Sequence, residues 1–358
     1  MKNGKKALAF LMAASLCLSV AGCGGTGNSG SSGSSGSSGN SGSTSDEVFT
    51  IAWAHSSSTN DRLALATEKM AEELLEASDG RIVIEHYPAS QLGAEREILE
   101  GITLGSIDCA VISSAIVAGF SNAVNVASMP YLIEDYETGW AVYDGEFGQA
   151  LGAQTEEDAG WKFLGWCDNS LRMFSNSVRE IQTPADMAGL KIRTQENDIH
   201  MELVNELGAS ATPVAFSELF TALQQGTVDG QENGVALTYS MGFNEVVKYM
   251  TYFPHIYDPY IVVMSSACWN KLPADLQALM EEYGAKYCQY EREFNQQNEV
   301  DFLAEMEADG LQVYYPTDEQ KQMFVDATAG VEAAIREQVG DEWVDMFKAA
   351  VEEVKAAQ

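Results

Sequence analysis

GLKIRTQENDIHMELVNELGASATPVAFSELFTALQQGTVDGQENG, residues 189–234, decides the fold. Leu190–Thr194 and Ala211–Ala215 read as two short strands. Between them Ile199, Leu203 and Leu207 recur at the helical period, and Gly208 ends the helix. Arg193 stands at the end of the first strand. About forty residues on, Asp229–Asn233 forms a polar cluster that reads as a turn. A buried guanidinium facing such a cluster suits the capture of a small carboxylate, because its rigid fork of donors matches two carboxylate oxygens.

Toward the N-terminus, strands and helices alternate. Phe49–His55, Arg81–Pro88 and Cys109–Ser113 read as strands. A helix capped by Thr59 or Asn60 carries Leu63, Ala66, Met70 and Leu74 on one face, and a second covers Ala94–Leu104. This order predicts a parallel sheet with helices on both faces and ligands off the carboxyl ends of its strands. His55, the loop before Glu95, and Ser113 lie at those ends. Tyr136, Trp140, Tyr143, Phe147 and Leu151 mark one helix whose aromatic stripe belongs to the core. Trp161–Asn176 reads as a long strand crossing to a second lobe, and Tyr260–Ala267 as the return. Pro273 opens a helix running to about Ala308, roughly 50 Å at 1.5 Å per residue, which would span both lobes. Thr317 and Gln320 form a capping box, and a last helix carries Trp343, Phe347, Val351 and Val354.

The chain opens with Lys2, Lys5 and Lys6 before an apolar run from Ala7 to Val20, the pattern of an export signal over residues 1–22. Val20-Ala21-Gly22-Cys23 resembles a lipobox, which makes Cys23 the lipidation site and anchors the chain to the outer face of the membrane. Residues 23–47 are mostly Gly, Ser, Asn and Thr, a tether with a root-mean-square reach of about 25–30 Å over ~20 residues. Its two G-x-G-x-x-G matches follow no strand and mark no dinucleotide site. With 53 acidic against 20 basic residues the net charge is −33, and losing the signal lysines makes it more negative. Such a surface excludes nucleic acid as a partner. An anionic ligand must then be caught by local cations. Cys109, Cys167, Cys268 and Cys288 match no zinc spacing; one or two disulfides or buried thiols fit them equally. No metal or other cofactor is called for. The chain has no H-E-x-x-H and no G-x-S-x-G, and its four histidines are scattered, so an enzyme is not expected.

YPASQLGAEREILEGITLGSIDCAVIS (residues 87–113), SMPYL (128–132), TPADMAGLKIRTQE (183–196), TPVAFSELFTALQQGTVDGQEN (212–233) and LPADLQALM (272–280) together resemble the DctP-like solute receptors of tripartite ATP-independent periplasmic (TRAP) transporters. The likeness runs from Phe49 to about Ala350. It implies a two-lobe, Venus-flytrap α/β fold that closes on an organic acid, with residues 48–171 and 258–300 in lobe I and 172–257 and 301–358 in lobe II. It implies small and large TRAP membrane subunits as partners. Carried over residue by residue, Arg193 grips the ligand carboxylate, Arg172 is the second pocket arginine, Asn233 donates to the ligand and Phe216 forms an aromatic wall. His55, Glu95, Arg96 and Ser113 fall where some members touch the distal end of the ligand. The sialic-acid branch carries glutamate in place of Ser113 and asparagine in place of His55, which argues against that ligand. KIRTQEN followed by His200 is more similar to the sugar-acid branch, with C4-dicarboxylates next. Presentation of the same solute to a sensor kinase, or a secreted carboxylate-dependent hydrolase, are the alternatives.

Overall fold

The computed structural model describes residues 47–358. The export signal, Cys23 and nearly all of the tether lie outside the described residues. β1 (Phe49–Ala54), α1 (Arg62–Ala77), β2 (Ile82–Tyr87), α2 (Glu95–Leu104) and β3 (Cys109–Ser113) alternate as expected. β1 pairs in parallel with both β2 and β3. Next come α3 (Ser114–Val117), α4 (Tyr136–Asp144), α5 (Glu146–Ala159) and the long β4 (Lys162–Asn176). Then follow β5 (Lys191–Thr194), α6 (Asp198–Glu206), β6 (Ser210–Pro213), α7 (Leu219–Gln224), β7 (Gly230–Asn233) and α8 (Val235–Ser240). β8 (Tyr249–Met264) then returns, followed by α9 (Ser266–Trp269), α10 (Ala274–Ala308), β9 (Gln312–Tyr314), α11 (Asp318–Ala327), α12 (Ala329–Val339) and α13 (Asp341–Ala357).

One mixed sheet of order β2-β1-β3-β8-β4-β7-β5-β6, with β9 beside β8, runs through both lobes. β4 and β8 pair antiparallel along their length and belong to both halves. Their register slips between Asp168 and Ser170 and again between Arg172 and Phe174. Such bulges bend and twist a strand, and here they lie where the sheet passes from one lobe to the other. α10, 35 residues long, spans both lobes. In the first lobe Ile51, Trp53, Met70, Leu74, Val262, Leu276, Met280 and Tyr287 form one apolar cluster between the sheet and the α1–α10 pair. The opposite face feeds a larger cluster that continues into the second lobe through Ile192, Leu203 and Phe243.

Three expectations change. α1 is capped by Asp61, whose Oδ1 accepts from the Leu63 amide at 3.1 Å, rather than by Thr59 or Asn60. The aromatic stripe divides at Gly145, which is extended at φ −78° and ψ −170°, into α4 and α5. Gly148 then sits so close to the turn before it that a Cβ would overlap the Tyr143 carbonyl. The stripe remains core, since Tyr143, Phe147 and Leu151 are buried. Asp229–Asn233 is not a turn: Gly230–Asn233 is the buried strand β7, parallel to β5 and antiparallel to β4. α13 packs its aromatic face on α4 and α5, Phe347 stacking on Phe147 at 4.8 Å. The Thr317–Gln320 capping box is present.

Candidate functional site

Arg193 stands on β5 with its guanidinium buried, at 1% exposure. Its Nε donates to the Val214 carbonyl at 2.8 Å, and the Phe216 ring lies 5.9 Å from its Cζ. Nη1 is buried and has no hydrogen-bond partner among the described residues. Burial, and then the like charge of Arg172, draw its pKa down to about 10. It is therefore still a cation at neutral pH, and among the described residues no carboxylate bonds to it. Arg193, Phe216, Gln195 and Val214 from the second lobe meet Glu95 and Ile116 from the first around a cavity of only about 10 Å³, room for one water.

Glu95 begins α2, where the free amides of a helix N-terminus favour an acid. Its Oε1 accepts from Ser56 Oγ at 2.6 Å and its Oε2 from the Ser113 amide at 3.3 Å. Burial pushes its pKa up against these bonds. Ser113 stands directly behind it: its hydroxyl lies 3.2 Å from Asp258 Oδ2 and 2.6 Å from the Gln195 side-chain amide.

Arg172, on β4, is fully buried in a different setting. Nε and Nη2 bond the Glu232 side chain, Nη2 also reaches the Glu232 carbonyl, and Nη1 donates to Asp258 Oδ2 at 3.0 Å. Four of a guanidinium's five N–H groups are thus engaged. Burial works against the Glu232 charge, yet Arg172 and then His200 hold its pKa well below the usual range. His200 Nδ1 and His255 Nε2 lie 3.3 and 3.4 Å from the same carboxylate. Two cations of one sequence type therefore sit in opposite states: Arg172 is ion-paired with two carboxylates, and Arg193 with none among the described residues. Removing water from an unpaired charge is costly, so Arg193 is the group an incoming anion would relieve most.

The remaining predicted residues are placed less directly. The Asn233 amide donates to Gln231 Oε1 within β7. His55 is buried, its Nε2 faces His86 Nε2 at 2.8 Å, and it does not line the cavity. Burial and then the His86 charge lower its pKa to about 3. Arg96 is partly exposed and 3.9 Å from Glu196. Arg193, Glu95 and Phe216 thus share one cavity, with Ser113 behind it; Arg172, Asn233, His55 and Arg96 do not line it. Gln195, Glu232 and Asp258 were not singled out from sequence. Gln195 was visible only as the second residue after Arg193, and Glu232 was hidden by reading its strand as a turn.

Two grooves of about 770 and 750 Å³, between α10 and β4 and along α13, contain no predicted site residue, while Arg96 lines two others of about 440 and 430 Å³. Among the described residues no cluster of three or more metal-ligating side chains occurs, Cys109, Cys167, Cys268 and Cys288 are free and buried, and no helix is long and apolar enough to cross a membrane.

The family model of the bacterial extracellular solute-binding proteins, family 7 (DctP), matches residues 53–338. A solute-binding protein from Verminephrobacter eiseniae is 36% identical over 306 residues, covering 85% of this chain and 88% of its own. The sugar acid binding protein DctPAm from Advenella mimigardefordensis, solved in complex with galactonate, superposes with a TM-score of 0.84 at 25% identity and covers 86% of this chain and 99% of its own. A TRAP periplasmic solute binding protein from Polaromonas, bound to D-erythronate, gives a TM-score of 0.80 at 32% identity over 84% of this chain and 98% of its own. The shared two-lobe sheet and the extent of these matches place this chain in family 7 of the bacterial extracellular solute-binding proteins, the DctP family.

Proposed function

We propose that this protein captures a hydroxylated monocarboxylate, a sugar acid such as an aldonate or uronate, and closes its lobes on it. A C4-dicarboxylate is the next ligand class. The observation that carries the reading is the Arg193 guanidinium, buried, charged and short of one partner. A carboxylate there would form charge-assisted hydrogen bonds, each contributing about 1.5–3 kcal/mol net. The charge balance favours one carboxylate over two. Arg172 is already compensated by Glu232 and Asp258, and Glu95 faces the same cavity as a second negative group. Glu95 suits the far end of a ligand that carries hydroxyls, because a carboxylate accepts hydrogen bonds from hydroxyls and repels another carboxylate. The galactonate and erythronate held by two of the similar structures fit that class.

The cavity is far smaller than the 300–1,000 Å³ or so of ordinary ligand sites, so the walls contributed by the two lobes must part to admit a sugar acid. Contacts made from both lobes then shift the population toward closure. The closed receptor is recognised by the small and large membrane subunits of a TRAP transporter, and the lipid on Cys23 keeps it at the membrane. Calorimetry with galactonate, galacturonate, erythronate and succinate tests the reading. Arg193→Ala should weaken binding of the best acid by at least a hundredfold. Unchanged affinity in that variant would overturn the assignment.

A further inference from the structure

We infer that Gln195 is a specificity-determining residue that reads a hydroxyl on the bound acid. The inference rests on the carboxylate-receptor reading and extends it to the chemistry next to the carboxylate. Gln195 is buried, at 6% exposure, and lines the same cavity as Arg193 and Glu95. The orientation of its amide follows from its neighbours. Asp258 pairs with Arg172 at 3.0 Å and accepts from Ser114 Oγ at 2.5 Å and Asn169 Nδ2 at 2.8 Å, so its oxygens are engaged as acceptors. The Ser113 hydroxyl, 3.2 Å from that carboxylate, has one proton and must give it to Asp258. Ser113 Oγ can then only accept from Gln195, which turns the amide nitrogen toward Ser113 at 2.6 Å. Oε1 is thereby fixed on the opposite side of the amide.

That oxygen is buried and has no hydrogen-bond partner among the described residues. A neutral acceptor held in this state carries its desolvation penalty until something donates to it. The other unsatisfied group lining this cavity is a donor, Arg193 Nη1, two residues earlier in the chain. An unfilled cationic donor beside an unfilled neutral acceptor fits a carboxylate with a hydroxyl a few bonds along the same molecule. A second carboxylate offers Oε1 no proton, and an unsubstituted alkyl chain leaves it unpaired. A site built to hydrogen-bond a hydroxyl rejects the analogue lacking it strongly, because the buried partner is then stranded. Ser113, in the first lobe, also joins the two lobes through this amide, so the side chain that reads the ligand belongs to the contact that closes the site.

The test is a cycle between protein and ligand, read by calorimetry. D-galactonate and its 2-, 3- and 4-deoxy analogues are titrated into the full chain, into Gln195→Met and into Ser113→Ala, with thermal melts to establish that each variant is folded. Wild type should bind one deoxy analogue about 10–100-fold more weakly than galactonate. Gln195→Met should close that gap. Ser113→Ala, which frees the amide to rotate, should narrow it while leaving the side chain in place. Galactonate bound by wild type with no gap at any position, or with a gap that survives Gln195→Met, would overturn the role of Gln195 and leave the carboxylate receptor standing. Absence of wild-type binding to galactonate, galacturonate, erythronate and succinate alike would overturn both.

Discussion

Arg172 and Arg193 are separated less by position than by what each has been given to bond. Arg193→Lys keeps the charge but loses the planar fork, and an ammonium cannot reproduce the Nε bond to Val214 together with a bidentate grip. Ligand affinity should fall at least tenfold in calorimetry with little change in melting temperature. Arg172→Met does the reverse. It strands Glu232 and Asp258, both buried, and breaking one side of a buried ion pair costs about 3–5 kcal/mol. Denaturant unfolding without ligand should show that loss. His55 sets a pH dependence. Its folded pKa of about 3 lies below the unfolded value of 6.5, so the unfolded chain takes up the proton first as pH falls. Stability is complete above about 6.5 and is lost progressively as pH falls toward 3. At pH 5 the loss from this residue is about 2 kcal/mol. His55→Asn should flatten the fall in melting temperature between pH 7 and pH 5.

Among elements, β7 leaves its backbone little room. It lies between β4 and β5 and holds Glu232 against Arg172. Gly230, its first residue, packs so tightly on β4 that a Cβ would overlap the Ser175 carbonyl and crowd Asn176. Gly230→Ala should destabilise by about 3 kcal/mol, because backbone cannot yield as a flexible side-chain tip can. It should also displace the neighbouring β5, so ligand affinity falls with stability, unlike in Arg193→Lys. Chemical denaturation and calorimetry on the same sample separate the two effects. The bulges in β4 near Asp168 and Arg172 belong to this scale as well, since they bend the strand where it passes between lobes.

At the scale of the whole molecule, a net charge of −33 surrounds a site that takes an anion. The screening length falls from about 30 Å at 0.01 M salt to about 8 Å at 0.15 M. Long-range repulsion therefore weakens with salt, while the buried Arg193 is little screened. The association rate of a sugar acid should rise between these salt concentrations, opposite to the fall seen for electrostatically steered ligands. Stopped-flow fluorescence from the tryptophans would measure it. A true ligand at about a hundred times its Kd should add about 2.7 kcal/mol to stability, worth roughly 5 °C in a chain of this size.

Periodicity and punctuation in the sequence determined the alternating strands and helices, the long α10 and the α11 capping box, because these depend on spacing along one chain. The resemblance of KIRT and its neighbours likewise singled out Arg193. The sequence could not separate Arg193 from Arg172, because an arginine's charge is compensated by residues distant in the chain: Glu232 and Asp258 lie 60 and 86 positions from Arg172. Nor could it reveal β7, whose polar composition suits a turn until buried partners on β4, α6 and β8 satisfy it. The packing of α13 on α4 and α5 was hidden for the same reason. An apolar face declares that it will be buried, but only the assembled fold decides what buries it.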